Sequence, residues 1–243
     1  MNSVRIAAVV LLCVALQAPA QSPFKVDYAC PAEDIEAFGL TCAPDDPCNV
    51  FLELSSVEAV GEKLFVAGDL HTESTTLYGI LLASEDGGKT WTEPVKRLRT
   101  DALEQIQFLD FSKGWISGQS IEPLPRDPFF LITDDGGKTW RQKMLFDDSR
   151  FGSLAQFWFD SAQTGELVLD RDTAGHLTHD VYQTKNGGEG WELAQSTTKP
   201  VTLKKPNATW RLHADGKFYQ AQRRGSAGWE TVASFPIQVA QCK

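Results

Sequence analysis

Basic charge, tyrosine and methionine are all scarce in this chain of 243 residues, and its long apolar runs are confined to the first 20. Lys and Arg number 23 against 32 Asp and Glu, for a formal net charge of −9. A general nucleic-acid binder needs a basic footprint, so that class is excluded. A membrane-spanning helix needs roughly 20 apolar residues, and no segment after the N-terminus approaches that. Gly-x-Ser-x-Gly, His-Glu-x-x-His, phosphate-loop and dinucleotide patterns are absent, so the common hydrolase and nucleotide mechanisms find no support. The cysteines include no Cys-x-x-Cys pair, and a zinc site is set aside on that spacing.

What is present begins with a leader. Arg5 supplies a positive start, Ile6 to Leu16 an apolar run of 11 residues, and Ala18-Pro19-Ala20 a small-x-small cleavage site. The expected mature chain is residues 21–243, cut after Ala20 and secreted or periplasmic. It keeps Cys30, Cys42, Cys48 and Cys242. An even count in an exported chain implies disulfides, and four cysteines allow three pairings. The preferred pairing is Cys30–Cys42, closing a local loop, with Cys48–Cys242 joining the chain ends. Pro31 to Gly39 reads as one short helix, with a first-turn proline, acids behind it and a terminal glycine. Residues 21–49 are therefore read as a disulfide-tied cap or edge cover.

From residue 50 onward one pattern recurs. Ser84, Asp86, Gly88 and Trp91 stand in Ser-Glu-Asp-Gly-Gly-Lys-Thr-Trp. Thr133, Asp135, Gly137 and Trp140 stand in Thr-Asp-Asp-Gly-Gly-Lys-Thr-Trp, and Thr184, Asn186, Gly188 and Trp191 in Thr-Lys-Asn-Gly-Gly-Glu-Gly-Trp. The three tryptophans are 49 and 51 residues apart. A repeat at this period is the mark of a stacked architecture. Around each copy the sequence reads as short strands. The first unit has Phe51 to Val60, Lys63 to Leu70, Leu77 to Ser84 and Thr90 to Val95. The second has Leu103 to Phe111, Gly114 to Gly118, Phe129 to Thr133 and Thr139 to Leu145. The third has Leu154 to Asp160, Gly165 to Asp170, His179 to Thr184 and Trp191 to Gln195. A fainter fourth unit has strands at Val201 to Lys205, Thr209 to Ala214 and Lys217 to Arg224, with Gly225 to Trp229 in the place of the motif. Ile237 to Gln241 reads as a last strand returning to the first. The expected fold is all-β, a propeller of about four four-stranded blades over residues 50–243, with five blades as the alternative.

The motif is explained by folding. Gly-Gly supplies backbone angles that a tight turn needs. The Asp or Asn bonds backbone N–H groups ahead of it, the hydroxyl adds another such bond, and the Trp buries a large ring. A calcium loop would want alternating oxygen ligands and a distal Glu, which are missing. These twelve residues are therefore taken as structural, and no catalytic, cofactor or metal residue is assigned.

The motif resembles the Asp-box (bacterial neuraminidase) repeat of sialidases, sortilins and the photosystem II stability and assembly factor-like propellers. Gly114-Trp115-Ile116-Ser117-Gly118 ahead of the second copy resembles the assembly-factor blade in particular. The resemblance covers roughly residues 50–230 and implies a propeller whose motifs staple turns at the blade periphery. With the leader and the missing catalytic patterns, the assembly-factor-like blades lead to the expectation of an exported, non-enzymatic scaffold for a protein partner, without cofactor. The alternative it implies is a glycan-binding or sialidase-like propeller. A sialidase would need an arginine triad and a tyrosine nucleophile with a glutamate partner. Only Tyr28, Tyr78, Tyr182 and Tyr219 are on offer, and nothing in the spacing of Arg97, Arg126, Arg171 and Arg211 makes them converge. His176 and His179 are read as solvated loop histidines, Asp147-Asp148 as a solvated loop face and Asn207-Ala208-Thr209 as a glycosylation acceptor. The insertion Gln119 to Pro128 and the loop Arg171 to Asp180 stay open as binding surfaces, with an inert connection the favoured reading of each.

Overall fold

The computed structural model describes residues 22–121, 124–149, 151–173, 175–203 and 209–243, so the leader, Asn207 and Ala208 lie outside the described residues. No helix among the described residues is long and apolar enough to cross a membrane. The chain folds as four antiparallel sheets taken in sequence. The first contains β1 (Cys48–Val60), β2 (Lys63–His71), β3 (Thr76–Ser84) and β4 (Leu98–Arg99). The second contains β5 (Asp101–Phe108), β6 (Gly114–Ser120), β7 (Arg126–Thr133) and β8 (Arg141–Met144). The third contains β9 (Ser153–Phe159), β10 (Gly165–Thr173), β11 (His176–Thr184) and β12 (Glu192–Thr197). The fourth contains β13 (Trp210–Ala214), β14 (Phe218–Gly225) and β15 (Gly228–Pro236). A last strand, β16 (Gln238–Cys242), returns to pair with the start of β1. Each sheet is an up-and-down meander, and the four form a β-propeller.

Packing between sheets closes the ring. Phe65, Leu81, Leu103, Ile106, Ile116 and Phe129 fill the seam between the first and second blades. Trp115, Phe130, Phe157, Phe159 and Tyr182 fill the next, with the rings of Trp115 and Phe159 stacked at 3.8 Å. Leu52, Leu54, Ala221, Ala233 and Phe235 join the fourth blade to the first. The seam between the third and fourth is the thinnest, with Leu203 set against Val168 and Val181. Among the described residues no fifth sheet is present.

Three of the four seams also carry side chains that act as backbone. Gln107 accepts from Phe159 N (2.8 Å) and donates to Phe159 O (2.7 Å). Gln105 does the same with Phe157, and Gln156 accepts from Leu203 N and donates to Val201 O. Ser55 Oγ donates to Leu103 O, and Ser56 Oγ accepts from Ile106 N. The innermost strands of neighbouring blades splay apart, and these side chains span the gap and satisfy backbone groups that would otherwise be buried unpaired.

Several strand expectations are corrected. Thr90 to Val95 is not the fourth strand of the first blade; only a single bridge, Ala83↔Thr92, forms there. Pro94 has no N–H to donate to a ladder, and pairing resumes beyond it at Leu98–Arg99. Arg171 to Asp180 is a long hairpin rather than a loop, turning at Gly175 with φ +82°. In the fourth unit residues 201–203 are not strand, while Gly228–Pro236, missed from sequence, is its third strand. Gly225 to Trp229 is the hairpin between β14 and β15.

The cysteine pairing also differs. Cys30 bonds Cys242, 212 residues away, and Cys42 bonds Cys48. The register places Cys48 opposite Cys242, but Cys242 is bridged to the N-terminal segment instead. That segment straps the ring. Phe24 N donates to Ser234 O on the fourth blade. Beyond it, α1 (Ala32–Ala37) docks on the first blade through Asp34, which accepts from Tyr28 Oη (2.8 Å) and Tyr78 Oη (2.6 Å).

Candidate functional site

The three Gly-Gly turns follow the third strand of their blades and therefore share one end of the propeller. In the first, Ser84 Oγ accepts from Gly88 N and donates to Asp86 Oδ1. Asp86 then accepts from Lys89 N, Thr90 N and Thr90 Oγ1. Thr133, Asp135, Gly137 and Thr139 repeat these bonds in the second. Bonds to Thr90 and to Thr139 hold the Asp86 and Asp135 carboxyls down at about 2. The third copy is poorer. Thr184 Oγ1 still accepts from Gly188 N and donates to Asn186 Oδ1, but from the residues ahead of it Asn186 accepts Gly190 N alone. Trp91 and Trp140 donate to Gly88 O and Gly137 O, whereas the buried Trp191 Nε1 has no partner among the described residues. Each turn also ties to its own blade, through Gly87 N to Glu62 O, Gly136 N to Ser112 O and Gly187 N to Gln163 O.

The same turns lean on the preceding blade. Lys63 Nζ donates to Gly136 O and Trp115 Nε1 to Gly187 O, while Gly88 packs against Val232 of the fourth blade. Both oxygens of each carboxylate accept from within the motif. Among the described residues the three turns are separate and line none of the cavities at the other end.

The cavity that gathers chemistry lies at the other end. It measures about 300 Å³ and is lined by Glu53, Asp69, His71, the turn Thr72 to Thr76, Ala102 and Glu104. Strand β3 runs between the two ends, with Thr76 at the cavity and Ser84 at the turn, roughly 25 Å apart at strand rise. The β1–β2 register sets Glu53 directly opposite Asp69, and Asp69 and His71, two residues apart, project from one face. Glu104 enters from β5 of the second blade. The His71 Nδ1 lies 2.7 Å from Thr72 O and its Nε2 lies 3.8 Å from Glu53 Oε2. Burial, then the charges of Glu53 and Glu104, push the Asp69 carboxyl up to about 7. Burial pushes Asp101 up to about 6, and burial with the Glu53 charge raises Glu104. Tyr219, from the fourth blade, is raised by burial and then by Glu53. The arrangement concentrates carboxyls, one poised near neutrality, beside an oriented imidazole. The Asp69-Leu70-His71 alternation on a strand was the available signal, and sequence reading passed over it.

The arginines weighed for a sialidase centre are dispersed, while Tyr219 lies within reach of the Glu53 charge. Arg97 pairs with Glu93, Arg126 lies beside Asp127, Arg171 pairs with Asp180 and Arg211 stacks on Trp229. None lines the acidic cavity. Tyr28 and Tyr78 are spent on Asp34, and Tyr182 is core. His179 is not a solvated histidine: it is 7% exposed and 2.6 Å from Asp170, while His176 is exposed. Of the insertion at residues 119–128, β6 and β7 absorb both ends, and Pro123 lies outside the described residues. Leu124 (60% exposed), Phe151 (57%) and Leu177 (49%) nevertheless stand on the cavity end of the second and third blades. Phe151 bridges Arg126, and Gly152 N donates to Pro125 O.

Fold and site together define a small four-bladed propeller, stapled by turns at one end and carrying an acidic cavity at the other. No protein-family model matches the chain, and no curated protein is significantly similar to it. Among solved structures it is similar to YCF48 from Cyanidioschyzon merolae, with a TM-score of 0.42 and 18% identity over 75% of this chain and 56% of that one. It is also similar to the α-L-arabinofuranosidase Arb93A from Fusarium graminearum, with a TM-score of 0.39 and 16% identity over 76% of this chain and 59% of the other. A Penicillium chrysogenum α-L-arabinanase gives a TM-score of 0.39 and 16% identity, over 79% and 62% respectively. The chain thus spans 56–62% of the length of these proteins. The propeller assignment rests on the strand order and seams of the chain itself.

Proposed function

We propose that this protein is an exported, non-enzymatic propeller of the Asp-box type that serves as a scaffold for a protein partner, without a cofactor. The observation that carries the reading is the set of exposed apolar side chains at the cavity end of the second and third blades. The Gly-Gly turns spend their polar groups on themselves and on the preceding blade. Leu124, Phe151 and Leu177 stand exposed at the opposite end, on adjacent blades. Apolar side chains grouped on a rigid scaffold favour a protein surface as ligand. Two disulfides fit an oxidising compartment, in keeping with a leader cut after Ala20.

The test is cross-linking and recovery from the native host, comparing the wild type with a Leu124→Asp/Phe151→Asp/Leu177→Asp variant of unchanged circular dichroism. A partner recovered by the wild type and lost by the variant supports the reading. Equal recovery by both, or no partner for either, refutes it.

The acidic cavity favours a second reading, a glycan-binding or glycoside-cleaving propeller. Paired carboxylates, one held near neutrality, are what acid–base chemistry on a glycosidic bond requires. A glycan array and a glycoside panel that stay silent for the wild type would exclude it. Activity lost in Asp69→Asn and Glu104→Gln would establish it.

A further inference from the structure

We propose that Glu53, Asp69 and His71 form a binding site for one divalent cation of the manganese-to-zinc series. The proposal is independent of the partner reading. Its ground is the backbone. Glu53 and Asp69 are direct cross-strand partners and His71 follows Asp69 by two residues, so a two-stranded ladder holds all three on one face. Their ligand atoms lie within 4.8 Å of one another. The separation of 3.8 Å between His71 Nε2 and Glu53 Oε2 suits one ion. Two ligands at about 2.0–2.2 Å from a shared metal stand roughly 3–4 Å apart.

The imidazole is already set for ligation. Thr72 O lies 2.7 Å from Nδ1 and accepts its proton, which leaves the Nε2 lone pair directed to the carboxylates. A hydrogen bond from the second ring nitrogen to a carbonyl is the usual outer support of a metal-bound histidine. Among the described residues the cavity also has no permanent cation in its lining: Glu53, Glu73, Asp69 and Glu104 line it and no Lys or Arg does. Like charges placed directly opposite on paired strands destabilise a sheet unless something compensates. A nitrogen ligand beside two oxygens selects the class of ion. Calcium and magnesium prefer all-oxygen shells, whereas imidazole with carboxylate suits manganese through zinc. Remaining positions are open to water or to Glu104 from the facing blade.

The test uses the full mature chain, stripped with chelator and titrated calorimetrically with Mn²⁺, Zn²⁺ and Ca²⁺, with thermal melts alongside. The expected result is one equivalent of Mn²⁺ or Zn²⁺, a raised Tm on loading, and affinity at least tenfold weaker in both His71→Gln and Asp69→Asn. Each variant is first checked for an unchanged near-ultraviolet spectrum. His176→Gln, on the distant hairpin, is expected to bind as the wild type does. The proposal is overturned by no transition-metal binding, by equal affinity in the His71 variant, by binding lost with His176→Gln instead, or by preference for Ca²⁺.

Discussion

Asp135 makes the clearest case for what a single residue does in this fold. Its two oxygens take bonds from Lys138 N, Thr139 N and Thr139 Oγ1, and the same set recurs at Asp86. Asp135→Ala is expected to lower Tm by more than Asn186→Ala, because Asn186 accepts Gly190 N alone from the residues ahead of it. The double change Asn186→Asp/Gly190→Thr rebuilds the missing set in the third turn and is expected to raise Tm; differential scanning calorimetry checks both. The carboxyls also set opposite pH windows. Asp86 and Asp135 are held at about 2, below the ordinary 3.8, so their contribution is present above 3.8 and is lost as pH falls toward 2. Asp69 is raised to about 7, so its contribution is complete below 3.8 and is lost as pH rises through 7. In urea titrations with chelator present, wild-type stability is expected to decline between pH 4 and 7. Asp69→Asn is expected to flatten that decline.

At the scale of the strand, the blades depend on seams that no local pattern announces. Gln107 is 3% exposed and caps both backbone groups of Phe159 across the gap between blades. Gln107→Leu leaves a buried N–H and C=O unpaired, and unfolding in urea is expected to reveal a loss of about 2–4 kcal/mol. A glutamine at an alternating strand position reads from sequence as a polar, outward residue; only a neighbouring strand from the next blade makes it interior. The strands themselves were largely legible, since Gly-Gly turns and alternating apolar residues punctuate them. The misreadings have physical causes. Pro94 stops a ladder that composition would continue, and the hairpin at residues 171–180 carries Arg, Asp, His and Thr because its outer half is polar. Glycine opens β6 at Gly114 for a steric reason: an added Cβ would meet the Phe108 ring at 2.7 Å.

Across the whole molecule, ring closure distributes over β16, the N-terminal strap and Cys30–Cys242. That bridge closes a loop of 212 residues and in the chain-entropy model contributes about 5 kcal/mol, against about 2 kcal/mol for Cys42–Cys48 with its separation of 6. Cys30→Ser/Cys242→Ser is therefore expected to cost more in equilibrium unfolding than Cys42→Ser/Cys48→Ser; equal costs would assign closure to the strand pairing alone. Four cysteines in sequence could not decide between a bridge from Cys48 and one from Cys30. Both sit near Cys242, Cys48 across the β1–β16 ladder and Cys30 on the strap, and the choice depends on where side chains point rather than on chain distance. The same division holds for the rest. Local chemistry, repeated at an interval near 50 residues, determined the sheets, their order and the turns that staple them, because those features are built from neighbours in sequence. The tertiary structure alone decided which cysteines meet, which glutamines bridge blades, and that Glu53, Asp69, His71 and Glu104 share one cavity. Those contacts join different strands or different blades, and only strand pairing and the packing of blade on blade bring them within reach.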